Sequence, residues 1–133
     1  MPRIFTLSEA SSIAIHAMVM IAQAESRINV KKISEANHAS EHHVAKIMQK
    51  LVKEGYIMSK RGPDGGFLLL RKPATITLLE IFETIDGKIT TGNCQLDRPV
   101  CPFDKCLMDG KLNDMAIEFR DFMKTKKLSE YLD

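Results

Sequence analysis

The stretch from Ser40 to Gly55 constrains the fold of this chain more than any other part of the sequence. Ser40 can accept a hydrogen bond from the backbone at a helix start, and Gly55 readily adopts the left-handed conformation that ends a helix. Between them, apolar residues recur at helical spacing, and these are Val44, Ile47, Met48 and Leu51. The pattern predicts a two-sided helix whose outward face carries His42, His43, Lys46, Gln49, Lys50 and Lys53.

A short hairpin is predicted directly after this helix. Residues 56–59 and 66–70 are short apolar runs typical of strands, and residues 60–66 between them read KRGPDGG. Glycine and proline in this arrangement favour a tight turn. Because Lys60 and Arg61 begin that turn, we expect the hairpin to carry positive charge near its tip.

A longer helix is predicted near the N-terminus. Thr6 and Glu9 have the spacing of a capping box, which would open a helix that extends to about Ala24. Apolar residues at helical spacing predict its buried stripe, which consists of Ile13, Ala17, Met18 and Ile21.

A second, shorter helix is predicted over residues 30–37. Asn29 can cap it, and His38 and Ala39 form the turn that follows. Its buried face is expected to contain Val30, Ile33 and Ala36. Helix, short helix, turn, capped helix and basic hairpin, in this order, form a winged helix-turn-helix.

The C-terminal half begins with a second well-marked helix start. Thr77 and Glu80 form a capping box, Ile76 and Ile81 can act as a hydrophobic staple, and Gly87 ends the helix. Residues 88–110 contain prolines, glycines and all three cysteines, which predicts a long loop. A final helix from residue 111 carries an apolar stripe suited to packing or dimerisation, formed by Leu112, Met115, Phe119 and Phe122 and widened by Ala116 and Met123.

These elements predict a mainly α fold with a small β-hairpin, in which a winged helix-turn-helix is joined to a C-terminal dimerisation helix. Residues 1–73 would form the DNA-binding region and residues 74–133 the helix, sensor loop and dimerisation helix of one compact domain. The charges divide at the same place, because residues 1–73 contain 11 Lys and Arg against 6 Asp and Glu, whereas residues 74–133 contain 8 against 11. A basic half suggests a polyanionic partner.

The predicted interface with double-stranded DNA follows from the geometry of the major groove. The groove accepts one helix, whose first turn reaches base edges while lysines farther along neutralise phosphates. Arg61 can also reach base edges in the minor groove. The candidate DNA-binding residues are Ser40, Glu41, His42, His43, Lys46, Lys50, Lys60 and Arg61.

The size and composition of the chain exclude several classes. Its 133 residues suit one soluble domain, and it contains no apolar run long enough to cross a membrane. The N-terminus lacks the basic-then-apolar order of a signal peptide, so we expect a cytoplasmic protein. No nucleophile elbow, metal-hydrolase helix motif or phosphate-binding glycine loop is present, so we expect no enzyme activity.

Three cysteines lie within residues 94–106, with the spacing C-x6-C-x4-C. In a reducing compartment, such a group favours a metal or a redox-active thiol over a structural disulfide. Thiolates on one loop suit an iron-sulfur cluster, which we favour, with a thiol or disulfide switch as the alternative. Zinc is less favoured because no paired CxxC is present.

The wing sequence RGPDGGFLL, preceded by Gly55-Tyr56-Ile57, resembles the Rrf-two family of IscR/NsrR-type transcription regulators. The resemblance extends over almost the whole chain, including the Thr-Leu-x-Glu-Ile helix start, the cysteine loop and the terminal helix. It implies a homodimer on a palindromic operator that senses iron-sulfur status, nitric oxide or redox state, and we expect it to act as a repressor. The final-helix residues Leu112, Met115, Phe119 and Phe122 would then form the contact between subunits.

The chain departs from the family pattern at two places. Ala45 stands before Lys46 where many relatives have a glutamate, so the family's base preferences do not carry over. The loop cysteines of relatives are frequently spaced five and five residues apart, whereas here the middle one, Cys101, is displaced by one position between Cys94 and Cys106. The resemblance offers three candidates for a fourth cluster ligand, namely Asp109, His16 and Ser12.

Two hypotheses follow from these patterns. The first is a dimeric transcription regulator whose DNA affinity responds to an iron-sulfur cluster or to the state of its thiols. The second is a winged-helix adaptor that binds another protein, because the same scaffold can serve that role. Steep salt dependence of duplex binding distinguishes the first from the second.

Overall fold

A computed structural model describes residues 7–92 and 101–132. Its elements, in chain order, are α1 (Glu9–Gln23), α2 (Val30–Asn37), α3 (Glu41–Lys53), β1 (Ile57–Lys60), β2 (Gly66–Leu69), α4 (Leu78–Asp86) and α5 (Lys111–Thr125). Two short 3-10 turns, Pro73–Thr75 and Leu128–Tyr131, complete the described part of the chain. The predicted mainly helical fold with one antiparallel hairpin is confirmed.

Helix α1 begins two residues later than the sequence pattern predicted. Its N-cap is Ser8, whose side chain accepts a hydrogen bond from the backbone N–H of Ser11 at 3.0 Å. The predicted capping box at Thr6 is therefore wrong, because the first free backbone N–H groups lie within reach of Ser8; Thr6 itself is outside the described residues. The predicted buried stripe is confirmed at Ile13, Ala17, Met18 and Ile21.

Helix α2 confirms the predicted cap at Asn29 but not the whole predicted face. Ile33 is fully buried, whereas Ala36 is exposed and Ser34 is buried instead. Ser34 can occupy this position because its hydroxyl donates a hydrogen bond to the carbonyl of Ala39. The buried face is therefore rotated toward Ser34, which a pattern of apolar residues alone does not reveal.

Helix α3 follows the prediction closely. Ser40 caps it by accepting a hydrogen bond from the N–H of His43 at 3.1 Å, and Gly55 adopts a φ of +81° just beyond its end. All four apolar residues of its predicted inward stripe are buried. The stripe anchors α3 to the core and leaves its polar face toward solvent.

The wing contains one more pairing than the sequence predicted. Strands β1 and β2 pair antiparallel, and Ile28 adds an isolated bridge to Phe67 through hydrogen bonds of 2.8 and 3.4 Å. Gly66 has a φ of +142°, and a Cβ at this position would lie 2.6 Å from the carbonyl oxygen of Ile28. The close approach of the α1–α2 connection to the wing therefore requires glycine at this site.

The predicted capping box of α4 is confirmed. Glu80 N–H donates to the Thr77 hydroxyl at 3.1 Å, and the Glu80 carboxylate accepts from the Thr77 N–H at 2.9 Å. Ile76 and Ile81 are both fully buried, and Gly87 follows the helix as its C-cap.

The core lies between α1, α3, the wing and α4. It also receives Leu128, from a C-terminal turn that the sequence did not predict; the N–H of Leu128 donates to the carbonyl of Ile76 at 3.0 Å. Helix α5 packs on α4 and buries Met123, but much of its apolar stripe stays outside the core. Among the described helices, none is both long and apolar enough to cross a bilayer.

Candidate functional site

The polar face of α3 presents a row of basic side chains to solvent. Lys46 and Lys50 are exposed, one helical turn apart, and His42 is exposed in the first turn. The face follows directly from burial of the opposite stripe, because side chains at the intervening positions must point away from the core. Such a face can approach an extended polyanion along the length of the helix.

The first turn of α3 is partly held by α1. The Ser40 hydroxyl accepts from the backbone of His43, and the His43 ring nitrogen Nδ1 lies 3.9 Å from the Glu9 carboxylate of α1. His43 is consequently half-buried, while Ser40 and Glu41 are exposed. The sequence placed His43 on the outward face without finding Glu9 as its neighbour.

The tip of the wing carries two further exposed cations, Lys60 and Arg61. The turn is closed by a 2.8 Å hydrogen bond from the N–H of Gly65 to the carbonyl of Gly62, and a Cβ at Gly65 would clash with the backbone of Lys60. The glycines therefore allow a tight turn that holds the two cations beside each other at the end of β1.

In the described part of the chain, Arg71, Arg120 and Lys126 pair with carboxylates, whereas the predicted cations of α3 and the wing, like most of the lysines, do not. Among the described residues, no salt bridge within 4.0 Å engages Lys46, Lys50, Lys60 or Arg61. Arg71, by contrast, pairs with Glu80 at 3.3 Å and lies 5.0 Å from the centroid of the Tyr56 ring. Arg71 therefore secures the end of the wing to α4, whereas the other four charges remain available to a ligand.

The described part of the cysteine loop exposes two thiols. Cys101 and Cys106 are free and exposed, and Cys94 lies outside the described residues. The sulfur of Cys106 accepts a hydrogen bond from the N–H of Gly110 at 3.3 Å, in the turn that leads into α5. Cysteine sulfur is a soft donor that suits an iron-sulfur cluster, although the described residues alone contain no cluster of three metal-ligating side chains.

The three candidates for a fourth ligand lie in different surroundings. Asp109 is exposed in the same turn as Cys106, has a φ of +52°, and donates its N–H to the Cys106 carbonyl at 3.0 Å. His16 is exposed on α1, where its ring Nδ1 lies 2.7 Å from the carbonyl of Ser12, and it lines a groove with Asn37 and Tyr131. The described contacts thus place Asp109 next to Cys106 of the loop, whereas His16 and Ser12 lie next to each other on α1.

The apolar face of α5 remains largely open. Met115 and Phe119 are each 39% exposed, Phe122 is 51% exposed, and Leu112 is partly buried. With Leu7, Phe82 and Ile89 the face lines a groove of about 650 Å³. Exposed apolar surfaces of this kind mark contacts with other proteins or ligand-binding grooves.

The start of the cysteine loop is attached to both C-terminal helices. Ile89 N–H donates to the Glu83 carboxylate of α4 at 3.0 Å, and Gly92 N–H donates to the Asn113 side chain of α5 at 2.7 Å. Arg120 of α5 donates to the Thr91 hydroxyl at 3.3 Å. Residues 89–92 therefore bridge α4 and α5.

A polar contact that the sequence did not predict joins α4 to the beginning of α1. The Asp86 carboxylate, at the last residue of α4, accepts from the Ser8 hydroxyl at 2.8 and 3.0 Å and from the Ser11 hydroxyl at 2.5 Å. These residues are 75 or more positions apart, so no local spacing could reveal the contact. Ser11 is fully buried, and Asp86 gives its hydroxyl a partner.

The comparisons with known proteins agree with this architecture. Residues 7–133 match the Rrf2 family model, described as iron-dependent transcriptional regulators. The chain is 27% identical over 126 residues to the transcriptional regulator IscR of Xenorhabdus nematophila, an alignment that covers 93% of this chain and 77% of the relative. It is 36% identical over 70 residues to the regulator NsrR of Geobacillus kaustophilus, covering 53% of this chain and 48% of that one.

A solved structure shares the fold over the full length. CymR of B. subtilis, described as a global cysteine regulator, superposes with a TM-score of 0.74 at 21% identity and covers 99% of this chain and 97% of its own. The family match and these relatives describe transcriptional regulators and not enzymes. The chain therefore belongs to the Rrf2 family of transcriptional regulators, the Rrf-two family that its wing sequence resembles.

Proposed function

We propose that this regulator binds a palindromic DNA operator as a homodimer and that its DNA affinity depends on the state of the cysteine loop. The observation that carries the proposal is that α3 and the wing tip both expose cations, namely Lys46, Lys50, Lys60 and Arg61, and that no salt bridge engages them in the described part of the chain. A helix in the major groove and a wing on the adjacent backbone use such cations to neutralise phosphates. Residues 40–43, in the first turn of α3, would contact base edges.

The proposed dimer uses the apolar face of α5. Burying Met115, Phe119 and Phe122 against the same face of a second copy removes them from water and creates a two-fold interface. Two-fold symmetry then presents two copies of α3 to half-sites about one turn of DNA apart, which makes the operator a palindrome. Occupancy of promoter DNA by such a dimer would repress transcription.

The proposed sensor is the group of three thiols at Cys94, Cys101 and Cys106. Their soft donor atoms and the family's description as iron-dependent favour an iron-sulfur cluster, with Asp109, His16 or Ser12 as the fourth ligand. When bound, a cluster supplies a centre whose charge and integrity change with redox state or nitric oxide. The alternative is a thiol or disulfide switch on the same three cysteines.

The first experiment separates these two chemistries. The protein is purified without oxygen, and its iron, acid-labile sulfide and visible spectrum are measured beside those of a variant with all three cysteines changed to alanine. Matching iron and sulfide that require the cysteines support a cluster. A colourless protein after reconstitution with iron and sulfide contradicts the cluster and leaves thiol chemistry, which alkylation rates and a disulfide assay then examine.

The DNA-binding part of the proposal has an independent test. Binding of the purified protein to random duplexes, followed by selection and sequencing, should recover an operator with two-fold symmetry, and its affinity should fall steeply with salt. A Glu35→Ala variant should select the same operator with the same salt dependence. Its exposed side chain has no described ion partner and lies outside the set of cations on α3 and the wing tip. Recovery of no palindrome, or binding that is insensitive to salt, would contradict the proposal and favour a protein-binding adaptor.

A further inference from the structure

We infer that Asp86 is a positioning residue that transmits the state of the cysteine loop to the first turn of α3. The inference rests on the proposed function, because it concerns how the loop would alter the DNA-binding helix. It starts from the position of Asp86 at the end of α4, directly before Gly87 and the loop.

The first step of the connection runs from the loop to Asp86. Residues 89–92 are held by Glu83 of α4 and by Asn113 and Arg120 of α5. A rearrangement of the loop or of α5 therefore acts on the last turn of α4, which carries Asp86. Asp86 is exposed apart from its contacts with α1, so its position depends on this turn and on the two serines that it binds.

The second step runs from Asp86 to α1. The carboxylate accepts hydrogen bonds from both serines of the first turn, at 2.8 Å from Ser8 and 2.5 Å from Ser11. Ser8 is also the N-cap of α1, since its oxygen accepts from the Ser11 backbone at 3.0 Å. Hydrogen bonds to a charged acceptor are short and strong, and here they bind the start of α1 to the end of α4.

The third step runs from α1 to α3. Glu9, between the two serines, approaches the His43 ring to 3.9 Å. His43 lies in the first turn of α3, where its N–H also donates to the capping Ser40. A displacement of the first turn of α1 would therefore change the surroundings of the His43 ring, in the turn of α3 that would contact base edges. These contacts connect the loop to α3, and measured coupling between the two decides whether they transmit the loop state.

The test compares wild type with Asp86→Ala and Asp86→Asn in two states of the loop. All cysteines of the chain lie in the loop, so alkylation with iodoacetamide modifies the loop alone. Amide chemical shifts of Ser11 and His43 are measured by NMR before and after alkylation, and duplex affinity is measured for the same samples. Glu35→Ala is the matched control, since it removes one carboxylate from an exposed site on α2.

In wild type and Glu35→Ala, we expect alkylation to shift both amides and to change duplex affinity on the order of tenfold, a typical size for coupling between sites. In Asp86→Ala, we expect the two shifts to shrink at least about threefold and the affinity ratio to fall below about twofold. Asp86→Asn should restore part of both effects, because its amide oxygen can still accept one serine hydroxyl.

Two outcomes would overturn the inference. One is that alkylation of wild type leaves the Ser11 and His43 amides unmoved. The other is that Asp86→Ala lowers stability and duplex affinity equally in both loop states, as expected of a residue that merely caps α1. The NMR measurement needs no DNA, so failure of the protein to bind DNA and failure of Asp86 to transmit the loop state are separate results.

Discussion

Truncation of Phe122 is expected to weaken the proposed dimer by roughly a hundredfold. A phenylalanine side chain presents about 200 Å², so the 51% exposure of Phe122 leaves about 100 Å² of apolar surface open in one subunit. In a two-fold interface both copies become buried, which gives about 5 kcal/mol at 25 cal/mol per Å². Alanine keeps its own methyl group and neighbours partly close the space, so we expect a loss of about 3 kcal/mol.

The assay is sedimentation velocity over a range of protein concentrations, which yields the dimer dissociation constant of wild type and Phe122→Ala. Leu70→Ala is the control, because Leu70 is 55% exposed but follows β2 of the wing instead of lying on α5. Circular dichroism verifies that each variant remains folded. Dissociation constants that agree within threefold for Phe122→Ala and wild type would refute the assignment of this face to the dimer, as would an equal loss in Leu70→Ala.

Three further predictions follow from particular contacts. Gly66→Ala should lower the free energy of unfolding in urea by about 2 kcal/mol or more, because the new methyl group meets the Ile28 carbonyl at 2.6 Å. Gly55→Ala, also at a positive φ but with open space around it, should cost only about 1 kcal/mol, and equal costs would contradict the steric reason. Lys50→Ala should reduce the steepness of log affinity for duplex DNA against log salt by about 1.8, because each of the two subunits would lose a phosphate contact worth about 0.9. Lys124→Ala on α5 should leave the slope unchanged, and an unchanged slope in Lys50→Ala would exclude a phosphate contact. The backbone N–H of Lys127, with a smaller contribution from the Lys126 ammonium, holds the pKa of Glu130 below its ordinary value. The stabilisation that this carboxylate provides should therefore be present above the pKa of Glu130 in the unfolded chain, and it should be lost as pH falls through the lower pKa in the folded protein. An NMR titration that finds an unshifted Glu130 pKa would contradict this.

The elements of this fold could be predicted where local chemistry alone decides them. Ser40, Asn29 and the Thr77–Glu80 pair are caps in the structure as in the sequence, since capping depends on side chains within three residues of the helix start. The inward stripe of α3 was likewise correct at every position, because one face of an amphipathic helix must be buried. The cap predicted at Thr6 was wrong, because Ser8, two residues further along, accepts from the Ser11 N–H and also binds the distant Asp86 carboxylate.

The candidate site likewise has features that local patterns predict and contacts that only long-range packing creates. The exposed lysines of α3 and the basic wing tip could be located from periodicity and turn residues, because exposure of one face follows from burial of the other. The neighbours of those residues could not be found, since Glu9 approaches His43 and Asp86 approaches Ser11 only after distant segments pack together. The cysteine spacing identified a chemical class, but spacing on a loop specifies no fourth ligand.

The sequence by itself determined the order of the main elements, the caps of α2, α3 and α4, the two faces of α3 and the grouping of the thiols, because these depend on interactions over a few residues. Only the tertiary structure decided that Ile28 would complete the wing against Phe67, that Leu128 would close the core, and that Asp86 would hold the start of α1. Each of these contacts joins segments that are far apart in the chain. Their partners are selected by the shape and polarity of the packed core, which no local pattern encodes.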